Sequence, residues 1–225
     1  MNAIVTTPQI EIEMPESCRK LPVARGFMVP WFVTWIDGAP EFRAMDINKM
    51  RLAIRQRRCW ICGDVMKGIN NPFVVGPMCI VNRISAEPPN HVECARYAAM
   101  VCPFLSRPHM IRRSTDDIKQ EIHMSEAGHP RNPSACVLYF TRGWQLMHTP
   151  REMGGAGVLF EMGAAVGTEW YANGRRATRT EARNAFESGI EILRAEAKQE
   201  MVFDPTAGRA LEDRITRARA LLPKV

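Results

Sequence analysis

The sequence predicts an α+β fold, and three observations predict it. Hairpin signals and amphipathic helical stretches alternate along the 225 residues without the regular strand–helix–strand rhythm of a parallel sheet. A hydrophobic content of 46% suffices for an ordinary globular core. Cys59-Trp60-Ile61-Cys62-Gly63, answered by His91-Val92-Glu93-Cys94, supplies two ligand pairs at the spacing that closes a tetrahedron around Zn²⁺.

Taken in order, residues 1–24 show no periodicity and are punctuated by Pro8, Pro15 and Pro22, which reads as an extended N-terminal arm. Two runs rich in aromatic and apolar residues, 29–36 and 40–45, flank Asp37-Gly38 and predict a hairpin. Asp46 is placed to cap a helix over 47–57, whose apolar Ile47, Met50, Ala53 and Ile54 share one face. Lys49, Arg51, Arg55 and Arg58 fall on the other side, so the chain reaches Cys59 with a basic flank. Asn70-Asn71-Pro72 then breaks the chain, and Phe73-Val74-Val75 reads as a short buried strand ending at Gly76-Pro77. Glu87-Pro88-Pro89-Asn90 is a stiff lead into a helix over 91–101, with Asn90 as its expected cap and Cys102-Pro103 as its stop.

Residues 106–113 read as an exposed connector and 125–133 as a loop. Beyond them, 135–141 has the composition of a buried strand, and Gly154-Gly155-Ala156-Gly157 that of a turn without the lysine of a phosphate loop. Residues 158–162 and 166–171 are expected to pair as a second hairpin, which would set Glu161 and Glu169 opposite each other on a solvated face. Thr178-Arg179-Thr180-Glu181 is a capping box opening a helix to about 199 that buries Ala182, Ala185, Phe186, Ile190 and Leu193. Asp204-Pro205 starts a last helix with Leu211, Ile215, Ala218 and Leu222 on one side. The organisation is thus an arm (1–24), a basic zinc-binding region (25–113), a connector (114–134) and a C-terminal α+β region (135–225), the two larger regions being separate or packed as one domain.

Cys59 and Cys62 sit in a turn whose trailing Gly63 lets backbone amides bend toward sulfur, and His91 and Cys94 open a helix whose dipole favours a thiolate. Cys79 is an alternative to His91 as the fourth ligand, while Cys18 and Cys136 read as buried structural cysteines. A ligand-bearing turn followed by a ligand-bearing helix start resembles the treble-clef zinc module, over about a fifth of the chain. The wider string of Cys-x-x-Cys-Gly, Gly76-Pro77-Met78-Cys79, Glu87-Pro88-Pro89-Asn90-His91 and, later, Trp170-Tyr171-Ala172-Asn173-Gly174-Arg175-Arg176 resembles an uncharacterised family found in bacteria and their phages. That resemblance implies no activity and no catalytic residue.

The net charge of +6 is unevenly spread: residues 47–113 hold 11 Lys and Arg against 3 Asp and Glu, a local +8, and the rest of the chain is at −2. The field therefore belongs to the zinc region and favours a nucleic acid or an acidic protein surface as partner. Arg55, Arg57, Arg58, Arg112 and Arg113 are the candidate nucleic-acid contacts, with Trp31, Phe32, Trp35 and Trp60 either stacking surfaces or core. Arg175, Arg176 and Arg179 make a second basic cluster where phosphate could bind a helix start. No apolar stretch is long enough for a membrane span, no secretory signal opens the chain, and free cysteines suit a reducing cytoplasm. The expectation is a zinc-stabilised protein that binds nucleic acid. A phage- or host-defence-related adaptor or inhibitor of a protein partner is the first alternative. The second is a His-metal nuclease built on His109, and no residue is assigned as catalytic.

Overall fold

The computed structural model describes residues 12–107, 132–148 and 158–224. Its first elements surround the cysteine turn. A single helical turn α1 (Glu16–Arg19) leads to the paired two-residue strands β1 (Val23–Ala24) and β2 (Phe27–Met28). The expected hairpin follows as β3 (Val33–Ile36) and β4 (Ala39–Met45). Asp37 and Gly38 both take positive φ, 48° and 76°, as the tight turn between right-twisted strands requires. Asp46 then caps α2 (Ile47–Gln56), its carboxylate accepting from the amides of Asn48 and Lys49. Arg57 ends the helix in the left-handed region at φ 50°.

The central stretch differs from the expectation. β5 (Pro72–Val75) ends at Gly76-Pro77 as expected, but the proline there also opens an unforeseen helix, α3 (Pro77–Asn82), at a first-turn position where it costs no hydrogen bond. The short β6 (Ile84–Ser85) precedes α4 (Val92–Val101), and Cys102-Pro103 turns directly into α5 (Pro103–Ser106). Asn90 does not cap α4: it is buried, its amide N–H donates to Pro72 O at 2.8 Å, and His91 holds the cap position.

The C-terminal strands are β7 (Cys136–Thr141), β8 (Trp144–His148), β9 (Val158–Met162), β10 (Ala165–Ala172) and β11 (Arg175–Arg176). The expected pairing of 158–162 with 166–171 is not made: β9 pairs with β8 and β6, and β10 with β7 and β11. Residues 163–164 carry the chain from one sheet to the next instead of reversing it. The reason is a close approach at that point, where Gly163 N–H donates to Gly143 O at 2.9 Å and a Cβ on Gly163 would lie 2.8 Å from the same oxygen. Glu161 and Glu169 therefore lie in different sheets and do not oppose each other.

Every strand pairing among the described residues is antiparallel, in sheets of order β11-β10-β7-β5, β6-β9-β8, β1-β2 and β3-β4. The result is the mixed α and β chain expected, but its two larger regions share sheets: β5 adds to β7, and β6 to β9. Helices α6 (Arg179–Glu200) and α7 (Ala207–Arg219) close the main core. The capping box forms, with Thr178 Oγ1 accepting from Glu181 N and the Glu181 carboxylate from Thr178 N. Phe186, Ile190, Leu211 and Ile215 pack in one cluster with Phe73, Val137, Phe160 and Trp170.

Candidate metal centre

Four side chains from two distant segments converge. The ligand atoms of Cys59, Cys62, His91 and Cys94 all lie within 4.8 Å of one another, the three cysteines buried and the histidine partly so. Four ligands held about 2.0–2.3 Å from a common centre are themselves separated by somewhat under 4 Å, so small side-chain shifts would bring these onto a tetrahedron.

Local rules explain half of the site. Cys59 N–H donates to Asp64 O at 2.8 Å and Gly63 N–H to Cys59 O at 2.9 Å, which folds 59–64 into a tight knuckle. Gly63 sits at φ 79°, and a Cβ there would stand 2.6 Å from Trp31 Cγ, so both conformation and space call for glycine. Trp31 is held in turn by its amide bond to Ile61 O at 2.7 Å and by an edge-on contact with Trp60. Trp60 is buried and stacks on Phe32 at 4.9 Å. Trp31, Phe32 and Trp60 therefore brace the knuckle from within, and of the four candidate stacking residues only Trp35 is exposed, at 45%.

The other half arrives through the proline lead. Trp60 N–H donates to Pro89 O, and His91 N–H to Cys59 Sγ at 3.3 Å, so the backbone before α4 is tied to the knuckle. His91 Nδ1 lies 3.3 Å from Cys62 Sγ. The sulfurs of Cys59 and Cys62 raise the His91 imidazole to about 10, and hydrogen bonds from Cys59 and Cys94 hold the Cys62 thiol well below its ordinary range. A buried group of sulfurs and one imidazole thus favours positive charge beside thiolate, the role a divalent cation fills in such a donor set.

Cys79 is elsewhere: it lies on α3 against the main core, where burial pushes its thiol up. Cys102 and Cys136 are likewise raised by burial, Cys136 to about 12. Cys18 is fully buried as expected, but sequence reasoning missed its place at the site: its Sγ lies 3.6 Å from Cys94 Sγ, and Ser17 Oγ stands 3.2 Å from the same sulfur. No spacing rule links positions 18 and 94, so nothing local signalled it. Residues 12–24, read as an extended arm, instead dock here through α1.

Of the candidate nucleic-acid contacts, Arg55 and Arg57 are exposed at the end of α2. Arg58 is turned back, donating to Gly63 O at 2.8 Å and to Gln56 Oε1. Arg112, Arg113 and His109 lie outside the described residues, as does the glycine-rich stretch 154–157. The second basic cluster is largely neutralised: Arg175 pairs with Glu181 at 2.9 Å and Arg176 with Glu169 at 2.9 Å. Glu169 also accepts from Arg96 Nε at 3.0 Å and Tyr171 OH at 3.0 Å. Burial alone would raise this carboxyl, but Arg96, Arg176 and Tyr171 outweigh it and hold it at about 2.

No helix among the described residues is long and apolar enough to cross a membrane. Comparison with protein-family models, with curated proteins and with solved structures finds no match to this chain.

Proposed function

We propose that Cys59, Cys62, His91 and Cys94 hold a structural zinc ion, and that the protein is a binding module whose basic surface beside the zinc contacts nucleic acid. The observation that carries the metal is the buried convergence of three thiols and one imidazole within 4.8 Å. This donor set suits zinc in a closed, four-coordinate site. The resemblance to a treble clef extends to the knuckle and to the ligands at the start of α4. Between them, β5 and β6 join different sheets and are separated by α3.

The nucleic-acid reading is supported by α2, which carries Lys49, Arg51 and Arg55 and no acidic residue. Arg55, Arg57 and Lys67 are exposed and have no carboxylate partner among the described residues. An acidic protein surface is the second reading, favoured by Val65 and Ile69, which are 52% and 64% exposed on either side of Lys67 and which a protein partner would bury. The nuclease alternative rests on His109 and is tested by divalent-metal-dependent cleavage.

Metal analysis comes first: clearly less than about one zinc per chain in the purified protein removes the structural premise. A gel-shift titration across salt then tests the partner. Binding should weaken linearly in log salt, and Arg55→Ala with Arg57→Ala should flatten the slope by about one for each lost phosphate contact. Failure to bind any nucleic acid at low salt leaves the acidic protein surface as the reading.

A further inference from the structure

The strongest unexplained feature is the second layer of donors on Cys94. The turn α1 is only four residues long, too short to hold itself in water, so tertiary contacts must fix it. Those contacts converge on the metal centre. Cys18 packs with Cys59, Ile61, Cys62, Met66 and Cys94, and Met14, Leu21 and Met28 lie against the same cluster. Lys20 forms an ion pair with Asp64 of the knuckle. Ser17 Oγ at 3.2 Å and Cys18 Sγ at 3.6 Å both reach Cys94 Sγ.

Resting on the zinc reading above, we infer that Ser17 and Cys18 form an outer shell of the metal centre. They donate hydrogen bonds to the metal-bound Cys94 thiolate, so that zinc binding and docking of the N-terminal segment strengthen each other. A thiolate on zinc accepts strong hydrogen bonds, and the ion would hold Cys94 Sγ where both donors reach it. Losing the ion therefore frees the sulfur that anchors α1, and by linkage α1 raises the affinity for the ion. Cys18 falls outside the group of four mutually close ligand atoms, which already fills a tetrahedron, and this makes it a donor to a ligand and not a ligand.

The test uses the full chain and zinc alone. Zinc affinity is measured by competition with a chromophoric chelator, and the docked state by trypsin cleavage after Arg19 or Lys20 read by mass spectrometry. Ser17→Ala with Cys18→Ala should keep one zinc per chain but bind it about 10- to 100-fold more weakly. The same variant, still zinc-loaded, should be cut at 19–20 about tenfold faster than the parent. Cys18→Ser, which keeps a donor, should recover most of both effects, and Cys79→Ala should change neither. An affinity within about threefold of the parent, or unchanged cleavage, overturns the inference. Complete loss of zinc in Cys18→Ala overturns it in another way, by making Cys18 a coordinating ligand. A parent protein that binds no zinc defeats the metal reading itself, an outcome the variants cannot mimic.

Discussion

Replacing Gly63 by alanine isolates how the knuckle is built. Two costs add at this position. The left-handed backbone at φ 79° disfavours any Cβ by about 1–2 kcal/mol. The new methyl would also lie 2.6 Å from Trp31 Cγ and 2.8 Å from Cδ1 and Cδ2, contacts with the body of a ring and not with the end of a flexible chain. Trp31 cannot yield freely, because its amide is bonded to Ile61 O at 2.7 Å and its ring meets Trp60 edge-on with centroids 6.3 Å apart. Overpacking of this kind costs about 1–3 kcal/mol, giving about 2–5 kcal/mol in total. Gly38→Ala is the internal control, since Gly38 has nearly the same φ, 76°, but nothing within 4 Å of an added Cβ. Urea unfolding of the zinc-loaded proteins should show Gly38→Ala losing about 1 kcal/mol and Gly63→Ala at least about 1 kcal/mol more. Equal losses would mean that Trp31 does not brace the knuckle, and the account of why Gly63 follows Cys62 would fall.

Other consequences are open to similar measurement. The cobalt(II)-substituted protein should show the intense visible absorption of a tetrahedral thiolate site, lost in Cys62→Ser; the weak bands of an octahedral ion would refute the closed four-ligand centre. Thr178→Ala should cost about 1 kcal/mol in urea unfolding, and a double-mutant cycle with Glu181→Gln should show strong coupling, because each residue satisfies an amide of the other. The Glu169 carboxyl is held at about 2, below its ordinary value of 4.5. Its contribution is therefore complete above about pH 5 and disappears as pH falls toward 2, so the stability gap between the parent and Glu169→Gln should narrow across that window. Acid also displaces metal from thiolates, but it does so in both proteins, and only the difference between them is diagnostic; a gap that does not change with pH would contradict the Arg96–Glu169–Arg176 arrangement.

What the sequence made legible was local. Asp37-Gly38, the Asp46 cap, the Thr178–Glu181 box and the paired ligand spacings each specify a conformation within a few residues, and each is present. Misreadings arose where a local signal had two structural meanings. Gly76-Pro77 does end a strand, and what went unread is that it also starts a helix. Asn90 is a good helix cap, yet here His91 takes the cap position, while the Asn90 backbone N–H bonds Pro72 O and the proline lead is tied to the knuckle. The runs 158–162 and 166–171 suggested a hairpin, and only the distant partner of Gly163 at Gly143 reveals that the chain passes on. Cys18 lies 76 positions from the sulfur it touches, beyond the reach of any periodicity.

The composition of the two cores bears on how the proposed metal would serve the proposed binding role. The main cluster is filled by phenylalanines, tryptophans, aliphatic residues and methionines, whose burial drives folding without help. Around the knuckle the buried set is Cys18, Cys59, Ile61, Cys62, Met66 and Cys94, with a single branched hydrocarbon side chain among them. Thiols contribute little burial energy for their number, and thiolates are costly inside unless a cation compensates them. An ion on the four proposed ligands would therefore add rigidity to that supplied by Trp31, Phe32 and Trp60. Arg55, Arg57 and Lys67 lie along the chain that enters and leaves this knuckle. A partner reading those charges would be reading the metal-bound state, and chelation should abolish its binding even while the main core stays folded.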